Sequence, residues 1–119
     1  MNRRKDDGLK INLVRSTIRM LIPLDKQSEA LDILGSVRAQ AQFEHGCISY
    51  RLYRGADESR AIMVDELWAS HEEVVRHLKS DVYRRVLLVI EMSEEPPEIR
   101  FDEILRTSGM EAIEKVLRI

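Results

Sequence analysis

Two runs, CISYRLYR (47–54) and AIMVDELW (61–68), alternate apolar and polar residues with a period of two, and the polar GADES lies between them. That period belongs to strands, and so short a link returns the chain antiparallel, so the pair reads as a β-hairpin. One face carries Ile48, Tyr50 and Leu52 from the first strand and Ile62, Val64, Glu66 and Trp68 from the second. Any fold for this chain must accommodate a hairpin whose apolar face ends on a carboxylate and an indole.

The rest follows by period. Residues 11–22, INLVRSTIRMLI, alternate Ile18, Met20 and Ile22 against Thr17, Arg19 and Leu21, and Pro23 closes the strand. Asp25 is placed to cap a helix running to about Phe43, striped by Ala30, Leu31, Leu34, Val37 and Ala41, with Gly46 past its end. Ser70 and Glu73 form a capping box ahead of Val74, Val75 and Leu78. Ser80 opens a second helical stretch through Val82, Tyr83, Val86, Val89 and Ile90. Residues 86–92 also fit a buried strand, but the period on either side favours helix. SEEPPE ends it, and EIRFDEILR alternates Ile99, Phe101, Glu103 and Leu105 as a fourth strand. Ser108 and Glu111 repeat the capping box before a helix bearing Met110, Ile113, Val116 and Leu117.

The order is β-α-β-β-α-β with a helical tail, an α+β ferredoxin-like fold with an antiparallel sheet. Residues 1–10 read as a flexible polar tail and 11–119 as one domain, with 107–119 the helical tail. Helices can cover only one face of such a sheet. The other face is expected to meet a second copy of the chain, through the aliphatic opening strand and the tail helix.

A formal net charge of -2 favours neither nucleic acid nor an anionic membrane as a partner. No apolar run is long enough to span a bilayer, and the first residues form no secretory signal. The single cysteine, Cys47, excludes an internal disulfide and suits a reducing compartment, so a cytoplasmic domain is expected.

HEEVVRH (71–77) looks like a zinc hydrolase helix, but its histidines are six residues apart rather than four. At 3.6 residues per turn they diverge by about 120° around the helix and cannot chelate one ion. No G-x-G-x-x-G and no structural-zinc spacing occurs elsewhere.

The segment VDELWASHEEVVRHLKSDVYRRV does resemble another signature, that of the antibiotic-biosynthesis monooxygenase family of the dimeric α/β-barrel superfamily. Glu66 and Trp68 fill its Glu-x-Trp strand end, Ser70 its helix start, His77-Leu78 its His-Leu pair, and Ser80 and Tyr83 its Ser-x-x-Tyr step. Gly46-Cys47-Ile48-Ser49-Tyr50 resembles its glycine-led second strand, and the resemblance spans roughly residues 15–107. It implies a homodimer in which two ferredoxin-like protomers join sheets, each with its own pocket for a small aromatic substrate. It also implies a cofactor-free oxygenase acting on quinols or polyhydroxylated aromatics. A haem-degrading subset uses a first-strand asparagine, a tryptophan and a histidine ligand. Here the asparagines are Asn2 and Asn12, His77 stands at the tryptophan place and Leu87 at the ligand place. An apolar side chain cannot ligate iron, so no haem is expected.

On this reading His77 is the catalytic base, with an ordinary imidazole suited to taking a phenolic proton, or else a structural histidine bonded to backbone. Trp68 stacks on the substrate or is plain core, and Tyr50 and Tyr83 line the pocket or pack. Glu66 faces inward beside them as a further substrate-binding residue, or else pairs with Arg19, Arg51 or Arg76. The function that follows is a cofactor-independent quinol monooxygenase; the alternative is a non-catalytic dimeric module that binds a small ligand in the same pocket. On the monooxygenase reading His77→Ala is expected to lower turnover by about 10²–10⁴-fold and leave dimerisation and the melting temperature nearly unchanged.

Overall fold

Four strands form one antiparallel sheet in the order β2-β3-β1-β4: β1 (Leu13–Leu21), β2 (Cys47–Arg54), β3 (Ala61–Trp68) and β4 (Glu98–Ile104). Four α-helices accompany them: α1 (Gln27–Ala41), α2 (His71–Leu78), α3 (Asp81–Ile90) and α4 (Met110–Leu117). This is the ferredoxin-like order. The computed structural model describes residues 11–118; the tail expected over 1–10 lies outside the described residues.

The alternation in β1 buries Val14, Ser16, Ile18 and Met20, and β3 buries Ile62, Val64, Glu66 and Trp68. The register pairs Ile18 with Val64, Ser16 with Glu66 and Val14 with Trp68, so both sets share one face. Helix α1 lays Ala30, Leu34, Val37 and Ala41 on that face at helical spacing, and α3 adds Tyr83, Val86 and Val89. Residues 86–90 are therefore helix, not strand. Two serine caps start the second helical layer: Ser70 Oγ accepts from Glu73 N at 3.3 Å, and Ser80 Oγ accepts from Tyr83 N at 3.2 Å. Among the described residues no helix is long and apolar enough to cross a membrane.

Several local expectations fail, each for a reason of geometry. Asp25 does not cap α1, because a 3-10 turn (Leu24–Lys26) intervenes and Lys26 occupies the cap position without a side-chain bond. Helix α1 stops at Ala41 rather than Phe43. A bulge between Cys47 and Ser49 shifts the register, so Cys47, not Ile48, shares the face of Tyr50, and Ile48 is exposed. Ser108 caps nothing: α4 begins after Gly109, whose N–H donates to Glu111 Oε2 at 2.8 Å, and half the box forms. Leu105 lies beyond the end of β4. Val14, Ile18 and Met20 of β1 are buried against the protomer's own helices, whereas Leu13 and Leu21 are only partly covered. Those of α4 are exposed: Met110, Ile113, Val116 and Leu117.

Candidate active site

The inner face of the sheet ends in polar residues. Tyr50 lies opposite Glu66, and Cys47 opposite Trp68, on neighbouring rows of the β2–β3 ladder. Immediately after β3 the Ser70 cap starts α2, whose inward face is Glu73, Val74 and His77. Residue 77 is seven positions past the cap, about two turns, and so returns over the strand ends. Ser80 fixes the corner that follows: its Oγ donates to the His77 carbonyl at 2.6 Å and accepts from Tyr83 N, which brings Tyr83 alongside.

The five residues singled out in the sequence thus meet at one place. His77 is 1% exposed, Trp68 0%, Glu66 2% and Tyr50 3%. The imidazole lies 4.7 Å centroid to centroid from the Trp68 indole, tilted at 32°, with Tyr83 edge-on at 5.4 Å and Tyr50 at 6.2 Å. His71, by contrast, is exposed, and Tyr53 lies on the other face of the sheet.

The expected arginine partner of Glu66 is absent. Arg19 pairs with Glu98 and Arg76 with Glu73; Glu66 instead accepts from the Trp68 indole N–H at 2.8 Å. His77 Nε2 is 3.8 Å from Glu66 Oε1, too far for a hydrogen bond. The bond His77 does make is to a residue the sequence did not point to: its Nδ1 lies 2.9 Å from Glu44 Oε1. A signal for Glu44 exists in hindsight. It stands just beyond the C-terminal turn of α1, where a carboxylate opposes the helix dipole and needs a compensating partner. Four buried polar atoms of the cluster have no partner among the described residues: Glu44 Oε2, Tyr50 OH, Glu66 Oε2 and His77 Nε2.

Burial sets the electrostatics. Desolvation lifts the Glu66 carboxyl to about 7; the Trp68 N–H pulls it back and the nearby Glu44 raises it further. Burial first, then Glu66, lifts the Tyr50 hydroxyl well above the phenol range, and the same two causes lift Tyr83. Burial, Glu66 and Glu44 push the Cys47 thiol up to about 11, which keeps it protonated and unreactive. Between the ordinary carboxyl value of 4.5 and about 7 the folded chain holds a proton that the unfolded chain has released. Stability therefore falls as pH rises through that window, with no penalty below it and the full penalty above. Glu66→Gln cannot ionise and keeps an acceptor for Trp68. Its urea midpoint is expected to match wild type near pH 4.5 and exceed it at pH 8, by at most about 3 kcal/mol. An equal difference at both pH values would show that Glu66 does not titrate in this way.

Among the described residues no three His, Cys, Asp or Glu side chains are grouped to hold a metal ion. Leu87, at the haem-ligand place, sits half-exposed on α3 and offers iron no donor, so the residues present do not fit a ligated haem. A groove of about 450 Å³ lined by Gly35, Arg38, Arg51, Leu52 and Tyr53 shares no lining residue with the cluster. Since His77 is enclosed, whatever reaches its Nε2 must part the residues around it.

Residues 14–87 match the profile of a family described as "Antibiotic biosynthesis monooxygenase". No protein of curated function matches the chain in sequence. Solved structures share its fold. The Rv0793 protein of Mycobacterium tuberculosis superposes with a TM-score of 0.74 at 23% identity, over 82% of this chain and 99% of that one. A provisionally named antibiotic biosynthesis monooxygenase from Caulobacter crescentus gives 0.74 at 19%, over 86% and 99%. A conserved protein from Methanosarcina mazei gives 0.73 at 20%, over 78% and 93%.

Proposed function

We propose a function from one premise: the chain belongs to the antibiotic biosynthesis monooxygenase family. The proposed activity is cofactor-independent oxidation of a quinol or related polyhydroxylated aromatic by O₂ at the His77 cluster. The observation that carries it is His77 Nε2, a buried ring nitrogen without a partner among the described residues, set among three aromatic rings. A neutral quinol reduces O₂ slowly, and its anion does so faster. Transfer of the hydroxyl proton to Nε2 would produce that anion out of contact with water. The substrate supplies all four electrons: one oxygen atom enters the ring, giving a hydroxyquinone, and the other leaves as water. Trp68 would hold the ring by stacking, and Tyr50, together with Glu66 in its protonated form, would donate to its oxygens. The test is oxygen uptake by purified protein with a panel of quinols, without added metal. Uptake dependent on both protein and quinol supports the reading.

One observation favours a second reading. The complete enclosure of His77 and Trp68 suits a non-catalytic module that closes around a small ligand. Saturable quinol binding with no oxygen uptake would select it.

The proposal includes a homodimer. The face of the sheet away from the helices carries Thr17, Leu21, Met63 and Leu67 only partly covered, and α4 presents Met110, Ile113, Val116 and Leu117 to solvent. That apolar surface is more than a lone protomer of this size gains by exposing. Light scattering at micromolar concentration is expected to give twice the chain mass; a monomer would contradict it.

A further inference from the structure

Residues 44–46 clasp α2 twice. Glu44 Oε1 lies 2.9 Å from His77 Nδ1, and the adjacent His45 Nδ1 lies 3.1 Å from Glu73 Oε1, one helical turn earlier on α2. The two contacts differ in surroundings: the His45 side chain is 85% exposed, whereas that of His77 is 1% exposed. The backbone of Glu44 is pinned at both ends, its N–H donating to Ala41 O at 2.9 Å and its carbonyl accepting from Cys47 N at 3.1 Å.

We infer that Glu44 is the positioning residue for His77, holding the hydrogen on Nδ1 so that the Nε2 lone pair faces Glu66, Trp68 and the tyrosines. A carboxylate oxygen only accepts. At 2.9 Å the opposite tautomer would set the Nδ1 lone pair against it and bury an Nε2–H with no acceptor within hydrogen-bond distance. Both penalties vanish when the hydrogen sits on Nδ1. The titratable groups facing the ring from neighbouring elements are Glu44, Glu66, Tyr50 and Tyr83, with Cys47 beyond them. Of these, Glu44 alone has an oxygen within 3.5 Å of a ring nitrogen. In catalytic terms the role rests on the proposed proton transfer. A hydroxyl proton arriving at Nε2 breaks its O–H bond and makes an N–H bond, and the imidazolium charge that results is balanced by Glu44.

The test reads the tautomer directly, in the full chain. Two-bond ¹H–¹⁵N correlations of the three histidines distinguish Nδ1–H, Nε2–H and the doubly protonated ring. Wild type and Glu44→Gln, whose side-chain carbonyl can still accept, are expected to show Nδ1–H at His77. Glu44→Ala is expected to lose that bias, and Glu44→Asp to recover it in part. His45→Ala, which breaks the exposed clasp, is expected to leave the His77 signals in place. On a quinol that wild type oxidises, Glu44→Gln is expected to lower kcat about 10–100-fold through loss of the charge, with a smaller change in KM. An Nε2–H tautomer in wild type, or an unchanged Nδ1–H signal in Glu44→Ala, would overturn the assignment. Failure of every quinol alongside the expected tautomers would count against the substrate reading and leave the positioning of His77 by Glu44 supported.

Discussion

His77→Gln is expected to lower quinol turnover by about 10²–10⁴-fold, the usual contribution of a positioned general base. Glutamine is preferred to alanine because of where the ring sits. His77 is 1% exposed, packed against Trp68 and Tyr83 and bonded to Glu44. Alanine would open a cavity and leave Glu44 without its partner, so the sequence-based expectation of an unchanged melting temperature does not survive the structure. Glutamine fills much of the space and can donate to Glu44, but it is no base. His71→Ala, on the exposed side of α2, is the control and should do little. Full activity of His77→Gln on a substrate that wild type oxidises would show that the base lies elsewhere.

Gly46→Ala is expected to cost about 2–5 kcal/mol, the second large effect. Gly46 has φ of 87°, and an added Cβ would lie 2.3 Å from Glu73 Cγ and 2.8 Å from Glu73 Cβ. The left-handed backbone alone costs a side chain about 1–2 kcal/mol, and forcing a packed neighbour aside adds about 1–3. Glu73 cannot swing away freely, being held by His45 and Arg76. Displacing it displaces the helix that carries His77, so activity should fall along with the urea midpoint. A midpoint shift worth under about 0.5 kcal/mol would mean the turn relaxes more easily than its contacts imply.

What could be read from the sequence was local. Glu66 and Trp68 are two apart on one strand, so their shared face follows from period alone. The caps at Ser70 and Ser80 each span four residues, and they fix where His77 and Tyr83 emerge. What escaped was decided between distant segments. Glu44 and His77 are 33 residues apart and meet because α1 ends over the start of the second helical layer. The bulge at Cys47 is a mismatch between two strands, visible in neither alone. The pairing of Glu66 was misread by charge: burial lifts its carboxyl to about 7 and favours the neutral form, for which an indole N–H suffices where an arginine had been expected.

The proposed reaction places ligand binding and chemistry at the His77–Trp68 cluster, and the chain carries its own reporter there. Trp68 is the single tryptophan, fully buried and 4.7 Å from the imidazole. Titrated without oxygen, a quinol that supports oxygen uptake is expected to change Trp68 emission saturably, with a midpoint matching the KM of the aerobic reaction. Oxygen consumption with Trp68 emission unaltered across that range would contradict the account and move the reaction elsewhere on the molecule.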